Sequence, residues 1–464
     1  MRSRCPASQA RRTCCSVDFF QEAARDEADR LTGYRAAIQN YRQARWFCAS
    51  RQVSANVLIE GAQFLPTRPL SGLKVLDLSR VLSGPYATRM LSDLGADVLK
   101  VEPPEGDMTR KLGKRTGTSS GYYLQNNIGK RNICVDLKAD GARDLMFDLV
   151  RTADVVVENF RPGVMSRLGL GWLELSAINP RLVMLSISGF GQEGVERERA
   201  AYAPVLHAEA GLIARQSALA GGGAGDFAVN IADTYTSLHG VIGLLAALRL
   251  VEQTGVGQHV DIGMIDVIHS VDDVANMVLD GVWTKETHSG LWSVWEAPEG
   301  KQIGIAATLR ALWRAFSELR GLVDPGAGIA DKKTAEDLRR DSMAGHLLDY
   351  VSFDALTAEL DAMRLAWGRV RGIGEDTYAE PSVASRGILV EVEDNLGNKR
   401  RVVQSPYKFS NAESGISSAS RAADTGEHNE SALRDWLGWE SERIEGLRAS
   451  GVLVTSSVVS STSN

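Results

Sequence analysis

The sequence predicts an α/β fold, a doubly wound parallel sheet, and three observations carry that prediction. Between residue 70 and about residue 285, short apolar runs alternate with stretches of helical periodicity, the pattern of strands joined by crossover helices. Most of those runs are continuously apolar, as strands buried on both faces are. With 464 residues and 44% hydrophobic composition, the chain can also bury a large core and has length for two or three domains.

The first unit shows the logic with the least slack. Residues 73–78 read as a buried strand carrying one acid, Asp77, and Ser83, Gly84 and Pro85 then punctuate the chain. Ala87, Met90, Leu91 and Leu94 fall at helical spacing, Gly95 closes the helix, and residues 96–101 resume a strand. Such a βαβ unit offers strand ends and a helix N-terminus, the usual place for an anionic ligand. In full, strands are predicted at 73–78, 97–102, 132–135, 153–157, 182–188 and 258–263, with helices at 85–94, 141–151, 164–168 and 234–252. Near Glu299 and Gly300 a strand pair turns, and a helix-rich run follows to about residue 375. This reads as a small domain over 286–380 set between a large domain over 70–285 and its return over 381–452, which ends in a helical tail at 429–448. Residues 1–69 form an extension bounded by Pro66 and Pro69, and the Ser/Thr-rich residues 453–464 read as a disordered tail.

Bulk properties narrow the function. The net charge of −6 is scattered, which argues against nucleic-acid binding, and the longest apolar run, residues 241–248, is too short to span a bilayer. Four of the five cysteines precede residue 70 and only Cys134 lies in the body, so there is no disulfide framework and no spaced metal quartet, and a reducing, cytoplasmic compartment is expected. Arg2, Arg4, Arg11 and Arg12 without acids resemble a transit peptide, but Asp18 and Glu22 follow closely, and a mis-assigned start accounts for them equally. The seven histidines form no metal motif, and neither a Gly-x-Ser-x-Gly elbow nor a phosphate-binding P-loop occurs.

Residues 188–194, SGFGQEG, contain a literal G-x-G-x-x-G after an apolar strand. A dinucleotide fold would open these glycines directly into an amphipathic helix, whereas VERERAAYAP follows, so a loop beside a ligand is the better reading. Asn159, Phe160 and Arg161 sit at a strand end before a short helix carrying Arg167, where a plain turn and a ligand cradle are both open readings. Lys130, Arg131 and Lys138 add positive charge suited to phosphate or to ordinary surface. Asp233 precedes the most hydrophobic helix and reads as its N-cap, or as a carboxylate that the helix N-terminus keeps ionised and that acts as a covalent nucleophile. Cys134 reads as buried and unreactive.

Seven segments in order resemble the class III coenzyme A transferase (CaiB/BaiF) family, which includes formyl-CoA transferase, carnitine CoA-transferase and α-methylacyl-CoA racemase. They are LSGLKVLDLSRVLSGPYATRMLSDLGADVLKVEPPEGDMTR, KRNICVDLK, ADVVVENFRPGVMSRLGL, SGFGQEG, ADTYTSLHGVIGLLAAL, TGVGQHVDIGMIDV and GEHNESALRDWLG. The resemblance implies a Rossmann-like large domain built from both chain ends, a small middle domain and an interlocked homodimer. It implies coenzyme A and acyl-CoA as substrates, small carboxylic acids as partners in the reaction, and no tightly bound cofactor or metal. Asp233 matches the family's catalytic aspartate. Val81, Leu82 and Ser83 match a loop at the adenine end of coenzyme A. Val135, Asp136, Leu137, Lys138, Asn159, Phe160, Arg161 and Arg167 match other coenzyme contacts, and Tyr202 and Met264 match positions near the pantetheine and active site. Pro103 and Ala200 replace an arginine and a lysine of formyl-CoA transferase, Glu196 to Arg199 replace the racemase's Gly-His-Asp, and His288, Ser289 and Gly290 stand for a shortened glycine lid. CoA transfer is the expectation, with racemisation and non-catalytic CoA binding as alternatives.

Overall fold

The computed structural model describes residues 68–454 except 118, 224, 285–291, 376 and 395. The N-terminal extension up to residue 67, the His288–Gly290 segment and the tail from residue 455 therefore lie outside the described residues. Six strands form one parallel sheet: β1 (Lys74–Asp77), β2 (Asp97–Glu102), β3 (Arg131–Cys134), β4 (Val155–Glu158), β5 (Val183–Ser188) and β6 (Gln258–Gly263). Their order is β3-β2-β1-β4-β5-β6, all pairs parallel. The chain thus starts at the centre, works outward to one edge, returns and works outward to the other, the arrangement of a doubly wound sheet.

Helices cover both faces because both faces of these strands are apolar. On one side α1 (Ser83–Asp93) and α8 (Ile231–Thr254), with α6 (Ala203–Glu209), α7 (Leu212–Ala220) and α9 (Met264–Ser270) beside them, bury Val75, Val98, Val157, Leu185 and Ile187. On the other, α3 (Ala142–Thr152) and α5 (Trp172–Ile178) pack with the C-terminal α13 (Asn429–Leu437) and α14 (Ser441–Ala449) over Leu76, Leu99, Ile133, Val156 and Met184. The expected single tail helix is two, broken at Gly438. Leu453, placed by sequence in the tail, is buried and bridges Val135.

The C-terminal segment is also tied to the sheet by charge. Glu102 is buried at the end of β2 and accepts from Arg110 Nε at 2.8 Å, from the Tyr123 hydroxyl at 2.5 Å and from Thr425 Oγ1 at 3.3 Å. Although burial raises a carboxyl's pKa, Arg110 and the other donors hold that of Glu102 below its ordinary value. Tyr123 belongs to α2 (Gly121–Asn127), whose core is shared with the hairpin of β10 (Leu389–Glu393) and β11 (Lys399–Val403).

The middle segment has its own core. β7 (Ser293–Ala297), β8 (Lys301–Ile305) and β9 (Trp367–Val370) make an antiparallel sheet packed by α10 (Leu309–Arg320), α11 (Lys332–Leu348) and α12 (Phe353–Ala362) around Trp295, Ile303, Trp313 and Phe316. The β7–β8 pair was legible in the sequence, but β9 was not, because a four-residue strand holding Gly368 and Arg369 carries no apolar alternation signal.

Candidate active site

At the centre of the sheet, β1 and β4 are neighbours whose chains leave in opposite directions, and the loops after them open the crevice where doubly wound folds hold ligands. Asn159 staples these loops together. Its Oδ1 accepts from the Arg80 amide at 2.8 Å, and its Nδ2 donates to the Arg80 carbonyl at 2.8 Å and to Ser83 Oγ at 3.2 Å. The loop is tight: Val81 has φ 69°, a left-handed conformation costly for a β-branched residue. A Cβ on Gly84 would lie 2.2 Å from the Ser79 Cβ, so only glycine fits there.

Beneath the crevice Asp77 is fully buried and accepts from Lys130 Nζ at 3.1 Å and Thr88 Oγ1 at 2.6 Å. Against the upward push of burial, Lys130 and Lys100 hold its carboxyl well below the usual range. The sequence left phosphate contact and ordinary surface open for Lys130 and Arg131; in the structure Lys130 is buried and spent on Asp77, and Arg131 is paired to Asp97 and Asp435.

Asp233 enters from the opposite face. Its helix α8 begins at Ile231, with Asn230 at the N-cap position making no side-chain cap bond, so Asp233 lies inside the first turn and is not the cap that the sequence suggested. The carboxylate instead lies against the backbone amides of Ser83 and Ala203, the first residues of α1 and α6, and the Ser83 hydroxyl, all of which pull its pKa down. Ser83, expected at the adenine end of a coenzyme, is thus at the carboxylate itself. Ser237 Oγ donates to the Ser83 carbonyl at 2.6 Å and locks α8 against α1. The sequence reading also expected helix amides to keep Asp233 ionised. Burial outweighs the pull of the Ser83 and Ala203 amides and pushes the carboxyl up to about 6.

A cavity of about 110 Å³ opens beside Asp233. Of the other site residues predicted from sequence, it brings together Val81, Ser83, Asn159, Phe160, Arg161, Tyr202 and Met264. Leu82 is instead buried behind the loop, and Val135 is buried at the end of β3. Asp136, Leu137 and Lys138 continue from β3 at the same end of the sheet, where Asp136 Oδ1 caps the Lys138 amide at 3.0 Å. Arg167 ends α4 (Val164–Arg167), just beyond the Asn159 loop. None of these six is in the cavity wall.

Three lining or neighbouring residues went unpredicted. Arg80 is exposed in the cavity wall with its guanidinium 5.4 Å from the Phe160 ring centre, and with Arg161 it forms a pair of guanidinium groups without an ion pair among the described residues. Arg199 also lines it, over Phe190, but is paired to Glu196 and Glu209. Tyr122 is half-buried near Asp233 and bonded to the Asn230 side chain; burial first, then the charge of Asp233, raises its pKa. Arg80 adjoined the quoted loop and was findable, whereas Tyr122 sits on α2, too short and too polar to register as a helix.

The SGFGQEG loop follows β5 and bonds through the Gln192 amide to Asp261 at 2.9 Å, and the next helix, α6, begins only at Ala203. Cys134 is buried, which raises its thiol to about 12 and leaves it inert. Glu158, buried at the end of β4 and raised by burial to about 7, lines a different hollow with Ser186 and His259. Among the described residues, no group of three or more His, Cys, Asp or Glu is arranged to hold a metal.

Residues 70–429 match the family pattern described as CoA-transferase family III. The chain is 30% identical over 403 residues to the succinyl-CoA–L-malate CoA-transferase beta subunit of Chloroflexus aurantiacus, covering 83% of this chain and 98% of that one. It is 42% identical over 202 residues to the acetyl-CoA:oxalate CoA-transferase of Acetobacter aceti, a match that spans 43% of this chain and only 52% of that enzyme. A crystal structure of a CaiB/BaiF family protein from Brucella suis superposes with a TM-score of 0.65 at 30% identity, covering 80% of this chain and 100% of that one.

Proposed function

Because the chain belongs to CoA-transferase family III, we propose that it moves coenzyme A from an acyl-CoA to a small carboxylic acid through covalent intermediates on Asp233. The observation that carries this reading is a buried carboxylate met by two amide donors at a doubly wound switch point. Asp233 attacks the thioester carbonyl, the C–S bond breaks, and an aspartyl anhydride and CoA thiolate result. The thiolate attacks the aspartyl carbonyl, releases the donor acid and leaves an aspartyl-CoA thioester. The acceptor carboxylate repeats the two steps in reverse and departs as the new acyl-CoA, with no net proton consumed. The Ser83 and Ala203 amides stabilise the oxyanions, and the bound acyl-CoA, by filling the cavity beside Asp233, keeps water from the anhydride.

The cavity beside Asp233 takes the acyl group and thioester. The remainder of the coenzyme lies along the sheet edge past Asn159 and Arg161 toward Lys138 and Arg167, with Arg80 added to its cations. The acids named for the similar enzymes, oxalate and L-malate, define the acceptor class to test. Racemisation is disfavoured: it needs a second base, and His207 is fully buried with both ring nitrogens engaged. A second copy of the chain covers the exposed apolar stripe Tyr235, Leu238, Ile242 and Leu245 on α8. That helix has the length and hydropathy of a membrane span, but its opposite face is buried on α1 and β5.

The test incubates acetyl-CoA and succinyl-CoA with oxalate, L-malate and succinate and follows new thioesters by mass spectrometry. Transfer by the wild type that is lost in Asp233→Ala, with CoA binding retained, supports the proposal. Unaltered turnover in that variant, or deuterium entering the acyl α-carbon without an acceptor acid, refutes it.

A further inference from the structure

We infer that His207 and Asp226 form a positioning pair that sets the aim of Asp233, an inference that rests on reading Asp233 as the nucleophile. His207 lies on α6 and is fully buried. The Ala232 amide donates to its Nε2 at 3.1 Å, and its Nδ1 lies 2.7 Å from Asp226 Oδ1. An amide N–H can only donate, so Nε2 is the bare nitrogen; the proton is on Nδ1 and goes to Asp226. The ring is thereby fixed as one neutral tautomer in one orientation, with Phe227 edge-on at 5.3 Å.

A buried, hydrogen-bonded histidine is ordinarily a satisfied core residue. Two features set this one apart. First, the amide it accepts from belongs to the residue immediately before Asp233, at the start of a helix whose own N-cap residue makes no cap bond. His207 therefore supplies from another helix the restraint that a cap would give. Second, His207 is one turn after Ala203 on α6, and the Ala203 amide holds the Asp233 carboxylate. A single turn of α6 thus grips the nucleophile at both ends, by its carboxylate and by the peptide behind it. Asp226 follows Gly221, Gly222 and Gly223, all at positive φ and with open space where a side chain would stand, so its bond to His207 also fastens that glycine run. Among the described residues the charged groups that face His207 are Asp226 and Asp233.

Neither residue touches the reacting atoms; their effect passes through the Ala232 peptide. His207→Leu keeps the bulk but strands the Ala232 amide and frees the first turn of α8. A misaimed nucleophile costs on the order of 10–100-fold in kcat, while KM for the acyl-CoA stays within about twofold, since the coenzyme cradle is untouched. Water reaching a loosened Asp233 lowers its pKa, so the acid limb of kcat/KM moves below the wild-type position near pH 6. His207→Gln offers one acceptor and one donor in similar places and restores most of the rate and the acid limb.

The experiment measures kcat, KM and the pH profile of these two variants and of Asp226→Ala, with Asp233→Asn alongside, using the acetyl-CoA or succinyl-CoA and acid pair that the wild type turns over fastest. Slow turnover with a displaced acid limb in His207→Leu, rescued by Gln, supports the pair. A wild-type rate and limb in His207→Leu, or a Gln variant as slow as the Leu variant, overturns it. Should His207→Leu fail to fold, the partly exposed Asp226 decides: reduced kcat with a displaced limb in Asp226→Ala supports the pair, and wild-type behaviour overturns it. If Asp233→Asn turns over normally, the nucleophile assignment fails; if it is inactive while the other variants are normal, only the positioning pair fails.

Discussion

Replacing Asp233 by asparagine should abolish transfer and make the folded protein more stable, because the side chain poised for chemistry is one that the fold pays to ionise. Its carboxyl is pushed by burial from the ordinary ~3.9 to about 6. A difference of roughly two pH units corresponds to about 3 kcal/mol as an upper value. The cavity beside it is open enough to admit water, so about 1–2 kcal/mol is the realistic expectation. The sign follows from linkage. The folded carboxyl binds its proton more tightly than the unfolded one, so the stability it contributes is full below about pH 4, declines as pH rises toward 6, and is absent above that. Asparagine has no such dependence, and like a protonated aspartic acid it keeps a neutral carbonyl oxygen as the acceptor for the Ser83 and Ala203 amides. Melting curves of both proteins from pH 4 to 8 should therefore coincide near pH 4 and separate by a few degrees above pH 6.5, with the variant higher. Taking the difference between variant and wild type cancels the titration of Glu158, which lies near 7 in both. A variant that gains no stability between pH 4 and pH 8 would show that Asp233 is not held in a costly, desolvated state.

Two further outcomes probe the walls of the cleft. Val81→Gly relieves a β-branched residue at φ 69° and should leave stability unchanged or raised by up to about 1 kcal/mol. The freed loop should raise KM for the acyl-CoA several-fold, and unchanged KM would separate the strain from binding. Asn159→Ala removes the bonds to the Arg80 backbone and Ser83 Oγ. It should weaken CoA binding about tenfold by calorimetry and destabilise by about 1–3 kcal/mol, whereas wild-type affinity would make Asn159 a plain turn residue.

The strands of the large sheet could be read from sequence because burial on both faces leaves them continuously apolar, as in VVVE of β4 and VMLSIS of β5. Their order could not, since pairing of β1 with β4 is a long-range choice that no local pattern encodes. Short helices were missed where their signals were ambiguous: the stretch VERERAAYAP carries no helical periodicity, yet its Pro204 is among the first residues of α6. The same ambiguity hid the site. Asp233 was recognisable from the motif around it, but its real partners are the first amides of α1 and α6, more than a hundred residues upstream in the case of Ser83. Lys130 misled for the opposite reason: charge is visible in a sequence, and its burial against Asp77 is not.

Covalent catalysis by Asp233 is tested most directly by trapping. The enzyme is incubated with succinyl-CoA or acetyl-CoA, quenched with hydroxylamine or borohydride, and the peptide containing Asp233 is weighed by mass spectrometry. Conversion of that carboxyl to a hydroxamate or an alcohol, only when acyl-CoA is present, is the expected result. An unmodified Asp233 in an enzyme that is turning over, or modification at another carboxylate, would contradict it.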